Sequence, residues 1–215
     1  ARRRIIPFEG FPAMRCRHHV KVALCVLAGL ACVCLRSAAA QTDVAVALPA
    51  GVRAVWDLGK AHREATPTRE RVCINGLWRW QPAATDGQEV PGGRWGYYRV
   101  PGPWPGITNY IQKDNQTLFA HPSWADVRLR DVAAAWYQRE ITVPREWAGR
   151  RIALTADYVN SFAAVYVDGR AAGQISFPAG EADLTSVCRP GQTHVLTLRV
   201  AAVPLKDVMI AYNDT

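Results

Sequence analysis

Ser161-Phe162-Ala163-Ala164-Val165-Tyr166-Val167-Asp168-Gly169 is the stretch that decides the fold. Its first seven residues are an apolar run of strand length, rich in β-branched and aromatic side chains. Asp168-Gly169 tolerates positive φ at both positions and so closes a two-residue hairpin. The chain then returns through Arg170 to Ile175. Upstream, Arg151 to Val159 reads as a strand with Ile152, Leu154, Ala156 and Tyr158 on one face. Ala135 to Val143 alternates too, with Trp136, Gln138, Glu140 and Thr142 opposite Tyr137, Arg139, Ile141 and Val143. That pattern predicts a strand with at least one wet edge. Pro144 ends it, and Arg145 to Gly149 reads as a turn with one helical twist. Downstream, Glu181 to Thr185 and Pro190-Gly191 read as turns, and His194 to Val203 as a last strand.

The earlier half is punctuated by Pro and Gly too closely for a helix of normal length. Two short strands fit between the breaks. Gly76 to Gln81 sets Leu77 and Arg79 opposite Trp78 and Trp80, and Trp95 to Val100 precedes the Pro-Gly-Pro-Trp-Pro-Gly loop. All eight tryptophans lie between Trp56 and Trp147, a density that suits a β-rich domain with large core side chains. Short strands, frequent turns and no long helix predict an all-β, antiparallel jelly-roll β-sandwich.

The N-terminal region has another character. Residues 1–13 carry no helical or strand period and read as a stray extension before Met14. From Met14 the pattern is that of a signal peptide over residues 14–40. Arg15, Arg17 and Lys21 precede an apolar run, and Ala38 and Ala40 stand before Gln41 as the small residues of a cleavage site. The run spans about 14 residues, short of the ~20 that cross a bilayer, although a retained anchor is the alternative reading. Residues 41–55 form a lead segment and 56–215 the sandwich domain. The expected location is secreted or periplasmic, with membrane contact only through the signal segment.

Residues 1–40 hold seven of the 26 Lys and Arg and one of the 18 acidic residues, so the +8 of the whole chain falls to about +2 beyond them. That balance gives no electrostatic case for a nucleic-acid partner. Four of the six cysteines also lie in residues 1–40, leaving Cys73 and Cys188. In an oxidising compartment these two either pair or remain as two separate thiols; spacing alone does not decide. No His/Cys cluster points to a metal, and no motif points to a cofactor.

An ordered series of motifs now carries a resemblance. It runs Val100-Pro101-Gly102-Pro103-Trp104; Trp136-Tyr137-Gln138-Arg139; Val143-Pro144-x-x-Trp147-x-Gly149-Arg150-Arg151; Asp157-Tyr158-Val159-Asn160-Ser161; Val165-Tyr166-Val167-Asp168-Gly169; Asp183-Leu184-Thr185; and Pro190-Gly191-Gln192. Over about residues 56–203 the chain resembles the N-terminal sugar-binding domain of family 2 glycoside hydrolases, the family of β-galactosidases, β-glucuronidases and β-mannosidases. The resemblance implies a galactose-binding-domain-like sandwich, carbohydrate as partner, and downstream domains in the same full-length chain. It implies a β-galactosidase-like retaining activity for that whole protein, with both catalytic glutamates on a (β/α)₈ barrel that takes about 250 residues. The chain at hand is then truncated before the barrel and has no catalytic residues of its own. The alternative is a free-standing carbohydrate-binding or structural sandwich module of a surface protein.

Candidate sugar contacts are Asn160, Trp104 and Asn109. Asn160 also fits a plain turn former, Asn109 a plain loop residue, and the aromatics Trp95, Tyr97, Tyr98 and Trp104 fit core or loop packing. The segment from Gly173 to Pro178 lacks the acid that some galactosidases carry there. Glu140, Glu146 and Glu181 read as solvated surface groups.

Overall fold

The computed structural model describes residues 45–83, 87–102, 118–128, 131–159 and 161–202. The chain divides into two units, Ala1–Ala40 and Gln41–Thr215, and every described residue lies in the second.

Eleven strands make up the described architecture: β1 Arg63–Ala65, β2 Glu70–Val72, β3 Gly76–Pro82, β4 Gly96–Val100, β5 Leu118–Phe119, β6 Ala134–Thr142, β7 Ala153–Ala156, β8 Phe162–Val167, β9 Arg170–Ser176, β10 Gly180–Asp183 and β11 Thr193–Ala201. Helical structure among the described residues is confined to short pieces, such as the 3₁₀ turns at Pro122–Trp124 and Arg145–Trp147. Seven strands form one antiparallel sheet in the order β5-β4-β3-β6-β11-β8-β9. β7 with β10, and β1 with β2, form separate two-stranded ribbons. The chain is an all-β antiparallel sandwich, as its turn spacing predicts.

One face of the large sheet carries the core. Alternation along each strand puts Trp78 and Trp80, Tyr137, Leu196 and Leu198, and Val165 and Val167 on that face. Leu196 and Val165 meet Ile152 and Leu184 from the β7–β10 side in the main hydrophobic cluster. A second cluster under β3 and β4 joins Trp80, Tyr98, Trp124 and Ala135. Gly96 is what lets Trp124 approach so closely. A β-carbon there would lie 2.5 Å from the Trp124 ring and 2.3 Å from the Phe119 carbonyl oxygen.

The Asp168-Gly169 turn forms as predicted, with φ of 49° and 77°. It pairs Val167 with Arg170, and one register shift follows beside Val165. The helical twist at Arg145–Trp147 is also present.

Three readings need correction. β6 is not a wet-edge strand: it lies between β3 and β11 in the middle of the sheet. Its polar residues Gln138 and Arg139 are buried, and both have partners. Gln138 accepts from Arg79 at 2.9 Å and donates to Thr197 at 3.2 Å. The strand expected over 151–159 shrinks to Ala153–Ala156, because the backbone at its ends bonds elsewhere. Ile152 N–H donates to the Thr185 hydroxyl and Val159 N–H to the Pro178 carbonyl. The segment from Glu181, expected as a turn, begins instead as part of β10. It pairs with β7 and buries Ala182, while Glu181 and Asp183 face outward to Arg151.

Candidate functional site

Most polar groups in the motif series are spent on the fold. Asp183 is the clearest case. Its Oδ1 accepts from the Thr185 hydroxyl at 2.6 Å and the Thr185 N–H at 2.9 Å, and its Oδ2 from Arg151 Nε at 2.9 Å. Those bonds hold its carboxyl down at about 2. The Asp-Leu-Thr motif is therefore a clamp: Leu184 goes into the core, and its neighbours lock the end of β10 to Arg151.

The clamp gives a pH prediction. The folded value lies below the ordinary 3.8, so the stabilisation is full above about 4 and is lost as pH falls through about 2. The difference in Tm between the parent chain and Asp183→Asn should narrow steadily from pH ~4 to ~2. A difference that stays constant over that interval would refute the clamp.

His194, Asp168 and Cys188 look at first like a nucleophile triad. The geometry says otherwise. His194 Nε2 accepts from the Arg189 backbone N–H at 2.9 Å, so Nδ1 carries the proton donated to Asp168 at 2.7 Å. No basic nitrogen is left to activate a thiol. Cys188 is 3% exposed, and burial pushes its thiol up to about 11. Burial also pulls the Asp168 carboxyl upward, but the His194 and Val195 N–H groups outweigh it and hold it below the usual range. This constellation fastens the β8–β9 turn to β11. Cys73, the other candidate for a disulfide, is a half-buried free thiol, and Cys188 is free as well.

Glu140, Glu146 and Glu181 are exposed and ion-paired with Arg79, Arg63 and Arg151. Among the described residues no group of His, Cys, Asp and Glu can hold a metal ion, and no helix is long and apolar enough to cross a membrane. An open groove of about 480 Å³ runs between Gly149–Ile152 and Asp183–Pro190, but Arg151, Asp183 and Thr185 in its wall are already bonded to one another.

Of the residues singled out for sugar contact, Asn160, Trp104 and Asn109 lie outside the described residues. Tyr98 is 2% exposed and belongs to the second core cluster, so it offers no ring to a ligand. Trp95 and Tyr97 are half-buried.

Two other aromatics are open. Tyr158 is 70% exposed and Phe177 59%. They stand edge to face, 6.0 Å apart at 82°. The backbone sets this pair: Phe177 N–H donates to the Ser161 carbonyl and Val159 N–H to the Pro178 carbonyl, both at 2.9 Å. Two loops, one before β8 and one after β9, are thereby tied at the same end of the sandwich. Exposed rings of this kind can stack on the apolar face of a sugar. The period-2 pattern hid them, because it placed Tyr158 on a strand face with Ile152 and Leu154. The available signal was position: each aromatic sits beside a turn, not inside a strand.

The fold class is thus an antiparallel β-sandwich with aromatic side chains open at one end. No family model matches the chain. It is 30% identical over 143 residues to a β-glucuronidase of Paenibacillus borealis, covering 63% of this chain and 22% of that protein. It is 28% identical over 150 residues to a β-glucuronidase of Canis lupus familiaris, covering 62% and 21%. Among solved structures it is similar to a Faecalibacterium prausnitzii β-glucuronidase, with a TM-score of 0.50, 23% identity, and 65% and 22% of the two chains covered. These matches agree with the resemblance to the N-terminal domain of family 2 glycoside hydrolases, and the relatives matched are β-glucuronidases. The chain spans about a fifth of the length of the curated relatives it matches.

Proposed function

We propose that this chain is the exported N-terminal sandwich of a larger family 2 glycoside hydrolase that cleaves β-glucuronides by a two-carboxylate retaining route. The observation that carries this is the pair of curated matches, both to β-glucuronidases. It moves the expected substrate from a β-galactoside to a β-glucuronide. The sandwich supports the barrel and meets carbohydrate through its loops; it performs no chemistry itself, because the acid/base and nucleophile glutamates belong to the barrel. Export rests on the basic and apolar pattern of residues 14–40.

The test is an assay of the full-length gene product against aryl β-glucuronide and aryl β-galactoside. We expect the glucuronide to be hydrolysed at least ~10-fold faster, a difference of about 1.4 kcal/mol in the barrier. Equal rates on both, or activity from the 215-residue chain alone, would remove the proposal. Fusion of residues 14–40 to a reporter should deliver it outside the cytoplasm; retention inside would remove the export part.

A second reading, a free-standing carbohydrate-binding module, draws its support from the exposed Tyr158–Phe177 pair. Glycan binding by the isolated chain, abolished by Tyr158→Ala, would favour it.

A further inference from the structure

The β1–β2 hairpin stands apart from the rest of the sandwich. It adds no side chain to either hydrophobic cluster. Among the described residues, no backbone hydrogen bond joins Arg63–Val72 to the remainder of the domain. Yet polar side chains hold it at both ends of β7, whose one ladder partner among the described residues is β10. Near Arg145–Trp147, Arg63 reaches Glu146 at 2.9 Å. Beyond the other end of β7, Arg71 reaches Asp157 at 3.1 Å. Between them Glu70 accepts from Trp147 Nε1 at 2.6 Å and lies 3.8 Å from Arg150. Glu70 also pairs with Arg63 of its own hairpin at 3.2 Å.

Glu70 is the hub. Its side chain is 13% exposed, whereas the outer partners Arg71, Glu146 and Asp157 are all more than half exposed. Trp147 itself packs on the main core, so its indole N–H is a fixed post for the hairpin. We propose that the β1–β2 hairpin is an ion-latched flap, fastened through Glu70 to the segments that flank β7 and released as a unit when the latch is screened or cut. Release bares the Trp147 N–H.

The outer pairs, Arg63–Glu146 and Arg71–Asp157, behave as exposed ion pairs. Each contributes a factor of roughly 1.5 to 5 to the closed population. Their attraction is largely screened once the Debye length falls to about 3 Å near 1 M salt. An isolated two-stranded ribbon is marginal in water, so the ladder amides of the hairpin lose protection when it detaches.

Amide hydrogen exchange on the full chain tests this. On moving from about 0.02 M to about 1 M NaCl, exchange in Arg63–Val72 should rise about tenfold while β6 and β11 keep their protection. Glu70→Gln should give the same rise at low salt. The proposal is overturned if the hairpin exchanges equally at both salt concentrations, or if it exchanges in step with β6 and β11. Should Glu70→Gln fail to fold, the salt series on the parent chain decides alone.

Discussion

Trp80→Ala is expected to lower the thermal midpoint of the domain by roughly 10–15 °C, from a loss of about 3–5 kcal/mol. Trp80 is fully buried. Its ring centroid lies 5.3 Å from that of Trp124, 6.0 Å from Tyr98 and 6.4 Å from Tyr137. These three rings come from outside β3, so no single movement fills the space left by truncation. Tyr98 and Tyr137 also face each other at 6.3 Å, and burial raises the phenol of each, Tyr98 to about 12. Differential scanning calorimetry measures the shift, with Trp80→Phe as the comparison. Phenylalanine keeps an edge-to-face contact with Trp124 and should recover more than half of the loss. A shift of under ~3 °C for the alanine variant would mean the rings repack, and the aromatic cluster would not be the support of the β3–β4 half.

The features legible in the sequence share one property: their determinants are local. The Asp168-Gly169 hairpin needs two adjacent residues that accept positive φ, and it forms with the expected pairing. The Trp78/Trp80 face of β3 needs only alternation, and both indoles are buried. What escaped reading depends on residues far apart. Nothing in Glu181-Ala182-Asp183 suggests a strand until Arg151, some 30 positions earlier, supplies the partner for both acids. With Gln138 and Arg139 in it, the strand reads as wet-edged until Arg79, Thr197 and three carbonyl groups are brought to them by the fold. Tyr98 packs in the core, as its residue type fits, in a cluster with Trp124. Tyr158 and Phe177 become a pair only because two loops exchange backbone hydrogen bonds. Motif order disclosed the domain type because those motifs are fold determinants, and for the same reason it said little about ligand contact.

Arg139 carries the second large effect, and it shows how a fold motif can hold a buried charge. The residue is 5% exposed. One terminal nitrogen donates to the carbonyl oxygens of Ile74 and Asn75, the other to that of Leu77, each at 2.7 Å. The guanidinium also lies over the Trp78 ring, 5.3 Å from its centroid. Burial drives its pKa down to about 10, so the cation costs the fold something that the carbonyl bonds must offset. Gly76 permits the arrangement: its φ of 127° belongs to glycine, and a β-carbon there would sit 3.1 Å from the guanidinium. Arg139→Met keeps the apolar stem but takes the guanidinium donor from the carbonyl groups of Ile74, Asn75 and Leu77, of which Ile74 still accepts from the Trp78 indole N–H at 3.0 Å. An orphaned buried acceptor costs about 1–3 kcal/mol, partly repaid because no cation is buried. The expected net loss is about 2–4 kcal/mol, with Tm falling by roughly 10 °C. Arg139→Lys discriminates the cause. A lysine ammonium is a compact charge that lacks the planar fork needed to span carbonyl groups on both of its sides. If the fork matters, lysine should recover less than half of the stability lost in the methionine variant. If charge alone matters, lysine should restore nearly all of it, and the segment leading into β3 would not be organised by the guanidinium.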